Sequence, residues 1–525
     1  MKKLIAYSVA LVSMLACCNN DSMLEITSLP QPHYSNSVKM SGKYGVKWQT
    51  NNPYDLGHRC FDAEGLNAHF GVGNIAAVSD FDEIYPWSDI RRCNIRREND
   101  QTFVTYEGQP GFALDGSNGD VFVRIPKFSV EKYESDGYEY RVISANGSKP
   151  HPAFIENGQE LDAVYVSAFE GYIDDNGLLR SIANVIPTSN IAAQQFLDAA
   201  QKRGAQYTLY DMRTVDLLFS LFAVEYGCRN SSVIFGHGVS DYRQPIEKEW
   251  DPGLIYYSKK NEQHTNSITC RRQEKTMITV GSNICICNGN QRNILTFARL
   301  TSIMQFYDTT IYTFDGPPVD ITTDCFIGSC AQSTNWTETC RSPHTSHSGR
   351  ANMLEAGFLP EERNPMRYRW MENIVGNVWH FLPDIAFKNL QMYVCSDMND
   401  YCFATYESPY QPYGHPLIEQ PDNSILSDGA GTNYWVTTLF NDEDNKGITF
   451  GCDFSKSLNS QEAFGAYYYL KDGAYIVANG GGFDHQYRCN LLTTRAWIEP
   501  DYRWHLYGAR LLFKDLPDPV ATIKE

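Results

Sequence analysis

The order of apolar and polar positions divides the chain into stretches of different texture. Lys2 and Lys3 precede an apolar run from Leu4 to Ala16, too short for a comfortable permanent span and suited to a secretory signal over residues 1–17. Residues 18–40 are polar, broken by Pro30 and Pro32, and read as a flexible tether. From 41 to 150 the pattern is strand-like. VFVRIPKFSVEKY at 121–133 alternates, and the cluster DGSNGD at 115–120 in front of it predicts a tight hairpin turn. A second region, 151–513, opens on further strand pattern at 151–172 and then shifts to helical spacing. PTSNIAAQQFLDAAQKRG at 187–204 carries a Ser189 or Asn190 cap, apolar Ile191, Phe196, Leu197 and Ala200, and a closing Lys-Arg-Gly. MRTVDLLFSLFAVEYG at 212–227 is apolar around most of its circumference, which predicts a buried helix. From 228 short strands and long loops run to 513, and 514–525 reads as a C-terminal tail. Two helices among many strands make this an α+β chain: a β-rich N-terminal module followed by a larger domain.

Composition narrows the function classes. A net charge of −18 with no Lys/Arg block argues against nucleic acid and against direct binding to an anionic membrane face. Aromatics reach 13%, with 33 Tyr, which hints at binding surfaces, although β-rich cores also consume Tyr. The cysteines beyond position 18 are irregularly spaced and define no disulfide framework. Cys285 and Cys287 in NICIC share one strand face and read as core or disulfide residues, because no second pair follows at metal-site spacing. HTSH at 344–347 reads as a polar loop. No HExxH, GxSxG, phosphate-binding or dinucleotide-binding motif occurs.

Several motifs carry a resemblance. MLACC at 14–18 resembles a bacterial lipobox, with Cys17 as the lipidated residue and Cys18 as the rival frame. The only membrane contact would then be a lipid anchor on the outer membrane or cell surface, with a phage particle as the alternative location. The 187–227 helix pair, ENIVGNVWHF at 372–381, VANGGGF at 477–483, Arg495, Pro500-Asp501 and YGAR at 507–510 resemble, in that order, the formylglycine-generating-enzyme type of C-type lectin fold. YGVKWQTNNP (44–53), YPWSDIRRCNI (85–95), NGDVFVRIPKFSVEKY (118–133), KPHPAFI (149–155) and VYVSAFEGY (164–172) are similar to phage-tail and prophage receptor-binding proteins. Together these cover roughly 42–513 and are most similar to variable proteins of diversity-generating retroelements. The resemblance implies a C-type lectin-like domain with two helices, short strands and long loops. It also implies ligand contacts in the C-terminal segment that begins at GGGFDHQYRCN (480–490).

The resemblance also poses an enzymatic test. The oxidase of this fold binds copper through two cysteines about five residues apart. Cys489 stands in place, but Asp484 occupies the other position, and one thiolate cannot make a two-sulfur cuprous site. A non-catalytic binding surface is therefore expected, for an unknown protein or glycan receptor. A structural part of a tail or surface assembly is the alternative, and an exported enzyme the remote one. The expected contacts are Asp484, His485, Tyr487, Arg488, Asn490, Trp497, Tyr502, Arg503, Trp504, His505 and Tyr507, types enriched at interface hot spots or suited to adaptable hydrogen bonding. Trp497 and Trp504 fit core and surface equally. Trp379, Gly480, Gly481, Phe483, Gly508 and Arg510 are expected as scaffold, the arginine in a buried pair. No cofactor is expected beyond a structural calcium, which C-type lectin folds often carry and for which no ligand set is readable.

Overall fold

The computed structural model describes residues 42–69, 78–99, 101–240, 256–272, 280, 283–288, 294–329, 366–403, 409–417, 432–440, 442, 446–455, 457–470, 472–483 and 485–516. The expected signal segment with Cys17 and Cys18, the tether, the 344–347 loop and Asp484 lie outside them. The described residues are mixed α and β, with three helices among many strands.

The helices form where apolar spacing and caps allow. The first, α1, is Ala193–Gln201, later than a Ser189 or Asn190 cap would start it. Asn190 sits at φ 63, outside the helix, and the Ala192 N–H donates to Gln195 Oε1 at 3.1 Å instead. The second, α2, is Met212–Tyr226 and every residue in it is buried. Asp211 caps its start by accepting from Thr214 N at 2.8 Å, and Gly227 ends it in the left-handed region. The third, α3, is the short turn Ser231–Phe235, capped by Asn230.

α2 packs against a four-stranded sheet ordered His58–Phe61, Lys43–Gln49, Tyr138–Ser144, Ser129–Ser135. Arg141 from that sheet donates to Asp216 Oδ1 at 2.8 Å and to Ser220 Oγ at 3.0 Å on the helix. A six-stranded sheet runs Tyr207–Leu209, Leu511–Phe513, Ala163–Ser167, Asp120–Pro126, Arg91–Glu98, Gln101–Tyr106. This strand order has no division at residue 150. The last strand of the chain lies between Tyr207–Leu209 and Ala163–Ser167, and Ala163–Ser167 pairs in turn with Asp120–Pro126, so one hydrophobic core spans residue 150. The alternation expected at 121–133 is also replaced: Asp120–Pro126 is central and buried on both faces. DGSNGD does not turn a hairpin, because the strands on either side of it are not neighbours. Lys514, expected in a tail, is fully buried and donates to Glu156 Oε2 at 2.6 Å.

Residues 256–329 build a separate apolar cluster within a six-stranded antiparallel sheet whose first and last strands meet through a bridge between Ser258 and Cys270, so the sheet curls on itself. Ile284 and Ile286 face that cluster. Cys285 and Cys287 face the other way, both buried, with sulfurs 3.8 Å apart. No disulfide joins the described cysteines.

A nine-stranded sheet supports the C-terminal segment. Its central strands run Trp379–Lys388, Ala474–Asn479, Thr494–Ile498, Tyr467–Leu470, Thr432–Leu439, and Tyr507–Gly508 joins Trp379–Lys388 in parallel.

Candidate functional site

The frame of the C-terminal segment begins at ENIVGNVWHF. Asn373 and Asn377, both at positive φ, point their amides at buried Glu170, and Gly376 passes so close to residues 237–239 that a Cβ would lie 2.7 Å from Val239 O. Asn377 O then accepts from Phe483 N at 2.8 Å, and Trp379 N donates to Leu506 O at 2.8 Å. This motif therefore anchors both ends of the segment that follows.

Gly480 and Gly481 turn the chain at φ +97 and +92, and a Cβ on Gly481 would lie 2.4 Å from Cys489 Sγ. Cys489 is wholly buried and donates to Gly482 O at 3.3 Å. Asn490 is the hub of this loop. Its amide donates to Ser232 Oγ at 2.8 Å and Phe464 O at 3.2 Å, and its Oδ1 accepts from Leu492 N at 3.0 Å. Trp379, Phe483 and Arg510 are buried as scaffold should be, and a Cβ on Gly508 would meet Val378 at 2.9 Å. Arg510 corrects one detail: its guanidinium donates to the carbonyls of Ser167 and Glu372 rather than to a carboxylate.

The expected contact residues divide in two. Asn490, His505 and Tyr507 are each 1% exposed. Asn490 is consumed by internal hydrogen bonds, His505 packs on Phe483 at 5.6 Å, and Tyr507 stacks on Phe381 at 5.3 Å. These three belong to the frame, not to a face. His485, Arg488, Trp497, Tyr502 and Trp504 are half-buried, and Tyr487 and Arg503 are exposed.

The open residues are linked by ring and guanidinium contacts, several of which pass through buried Tyr469 and Tyr507. Strand Thr494–Ile498 alternates so that Arg495 and Trp497 point outward, and its neighbour Tyr467–Leu470 places Tyr467 and Tyr469 beneath them. Tyr487 stacks on Trp435 with ring centres 6.2 Å apart and planes 27° apart. Arg488 lies 5.0 Å from the centre of Tyr467 and 5.5 Å from that of Tyr487. His485 meets Tyr469 and Trp379 edge-on. Arg495 lies 4.9 Å from Trp497 and 5.7 Å from Tyr507, which in turn meets Tyr502 edge-on; Tyr502 stacks on Trp504 at 5.7 Å. Rings locked against rings present a large contact area with little conformational freedom to lose on binding.

Tyr467, Tyr469 and Trp435 are the buried ring partners of this face that sequence reading missed, and Arg495 was read only as part of the closing motif. The alternation in AYYYL (466–470), which puts Tyr467 and Tyr469 on one strand face, was the available signal.

Among the described residues, no group of three or more His, Cys, Asp or Glu side chains converges as a metal site. In DGSNGD, Asp120 is buried and accepts from Arg180 Nε at 3.0 Å and Ser181 N at 2.7 Å, so it is already spent. A separate cleft of about 480 Å³ is lined by Lys149, Arg213, Asp397 and Lys446 among others. Compared with known proteins, the chain matches no protein-family model and no curated protein.

Proposed function

We propose that the protein binds a ligand without catalysis through the aromatic and cationic face formed by residues 485–488 and 495–504. The observation that carries this reading is the partition within one short segment. Cys489, Asn490, His505 and Tyr507 are locked in the interior, while Tyr487, Arg488, Trp497, Tyr502, Arg503 and Trp504 stay open on top of them. A rigid floor under exposed Tyr, Trp and Arg is the arrangement from which interface hot spots are built.

The reading extends the sequence resemblance: a C-type lectin-like fold of the formylglycine-generating-enzyme type, displayed at a cell or phage surface by a lipid anchor, with a C-terminal face diversified by a retroelement. Copper-oxidase chemistry fits poorly, because Cys489 Sγ is packed under Gly481 and donates to Gly482 O. Replacing only the open side chains tests the proposal. A changed ligand preference in a chain of unchanged stability supports it. Loss of assembly with ligand preference intact would favour a structural role in a larger surface assembly.

A further inference from the structure

The cleft of about 480 Å³ shares no residue with the 485–504 face, and its size is that of a small-molecule site. Three segments distant in sequence line it, and each is fixed from behind. Residues 149–158 supply one wall and turn back through Asn157 and Gly158 at φ 51 and 72. His151 ties this wall to α2, its Nε2 2.7 Å from Asp216 Oδ2, while its Nδ1 accepts from Ala153 N at 3.1 Å. Ser396 and Asp397 lead into the 3-10 turn Met398–Asp400, which Asp397 caps by accepting from Asn399 N at 2.9 Å. Lys446 is set by Asp442, whose carboxylate accepts from the N–H groups of Lys446, Gly447 and Ile448 at 2.8, 2.9 and 3.0 Å. Gly447 then packs so closely that a Cβ would lie 3.2 Å from Pro152 Cβ and 3.3 Å from Arg213 Cγ. The cleft is therefore formed before any occupant arrives.

Its walls are apolar and its charge is uneven. Pro150, Pro152 and Ile155 form the apolar side, and Ile155 stays 37% exposed there. Among the described residues, Lys149, Arg213 and Lys446 line the cleft against one carboxylate, Asp397. Arg213 is answered from beneath by Glu156 at 3.0 Å, which leaves the two lysines to meet an occupant. Asp397 is already engaged: besides Asn399 N, the Asn157 amide, turned so that both its ends are satisfied, donates to Asp397 Oδ2 at 2.6 Å. In a chain of net charge −18, this small apolar hollow thus faces its occupant with cations. We propose that the cleft binds a small amphiphilic organic acid, its apolar body against Pro150, Pro152 and Ile155 and its carboxylate toward Lys149 and Lys446. Burial of the body supplies most of the affinity. The lysines, donors without an acceptor, set the preference for an anion over a neutral or cationic analogue.

Calorimetric titration of the intact chain with 4-biphenylcarboxylate tests the proposal. The corresponding alcohol, 4-biphenylmethanol, and amine, 4-biphenylmethylamine, keep the body without the negative charge, and inorganic phosphate keeps the charge without the body. The carboxylate should bind at least about fivefold more tightly than any of the three. Lys149→Gln and Lys446→Gln should each weaken it about threefold, and together about tenfold, with the unfolding midpoint in place. Raised salt should act in the same direction. Ser396→Trp, which fills the cleft from an exposed position, should abolish binding. Arg488→Gln, on the 485–504 face, should leave it unchanged. No binding by the carboxylate, equal or tighter binding of the alcohol, the amine or phosphate, or lysine variants that bind as the parent does overturns the proposal. So does binding that survives Ser396→Trp or is lost with Arg488→Gln, since the acid would then sit elsewhere.

Discussion

Asn490 Nδ2 donates to Ser232 Oγ at 2.8 Å, joining residues 258 positions apart. With Leu491 N on Ser231 Oγ at 2.9 Å, it fixes the loop below the binding face to the start of α3. Replacing Asn490 by Ala strands a buried carbonyl, a hydroxyl and the Leu492 N–H. The variant should lose about 2–3 kcal/mol in urea denaturation. Binding should weaken as a consequence, because the floor under Arg488 loosens.

Gly481 allows an independent check of the frame. An added methyl meets Cys489 Sγ at 2.4 Å, and the backbone at φ +92 disfavours any side chain. Gly481→Ala should cost about 2–4 kcal/mol in the same assay. Adding Cys489→Gly should recover part of that loss and not all, since the side-chain clash is relieved while the 3.0 Å approach to the Cα of residue 489 and the backbone strain stay.

How much of this was legible in the sequence depended on whether the cause was local. α2 was readable because its apolar residues cover the helix all round, and no distant partner is needed to infer burial. The glycine turn and the scaffold tryptophan were readable through their motifs. His505, Tyr507 and Asn490 were not: each has a polar group compatible with a surface, and its burial is decided by Phe483, Phe381 and Ser232. The strand pairing across residue 150 was not readable for the same reason, since Leu511–Phe513 inserts beside Ala163–Ser167 only once the chain is folded. The curled sheet at 256–329 depends on a pairing between Ser258 and Cys270 that no local pattern announces.

Tyr487 and Arg488 should be nearly neutral for folding. Tyr487 is 43% exposed and its contacts are with Trp435 and Arg488 of the face. Tyr487→Ala and Arg488→Ala should each shift unfolding free energy by less than about 1 kcal/mol. In a binding assay with any ligand of the face, the same variants should lose about 2 kcal/mol or more.

The start of α2 makes stability depend on pH. Both oxygens of buried Asp384 accept from Met212 N, each at 2.9 Å. Burial, and then the charge of Asp211, push the Asp384 carboxyl from 3.8 up to about 7. Between those values the folded chain keeps a proton that the unfolded chain has released, so this group's contribution to stability falls as pH rises through the window. Against burial, Lys514 and Arg213 hold Asp211 down to about 2, so its own contribution is lost only as pH drops below about 4. Asp384→Asn cannot titrate. Its unfolding free energy relative to the parent should improve from pH 4 to about pH 7 and then level off, and a constant difference would remove Asp384 as the cause.

The central claim is that a glycan or peptide ligand is met at residues 485–488 and 495–504 and nowhere else on the described surface. Hydrogen exchange of the intact chain, with and without a saturating soluble glycan or peptide ligand, tests it most directly. Protection should appear in the 485–488 and 495–504 segments and vanish when Tyr487, Arg488, Trp497, Tyr502, Arg503 and Trp504 are replaced together. Protection confined to the cleft around Lys149 and Lys446, or to the 294–314 strands, with 485–504 unchanged, would contradict the account.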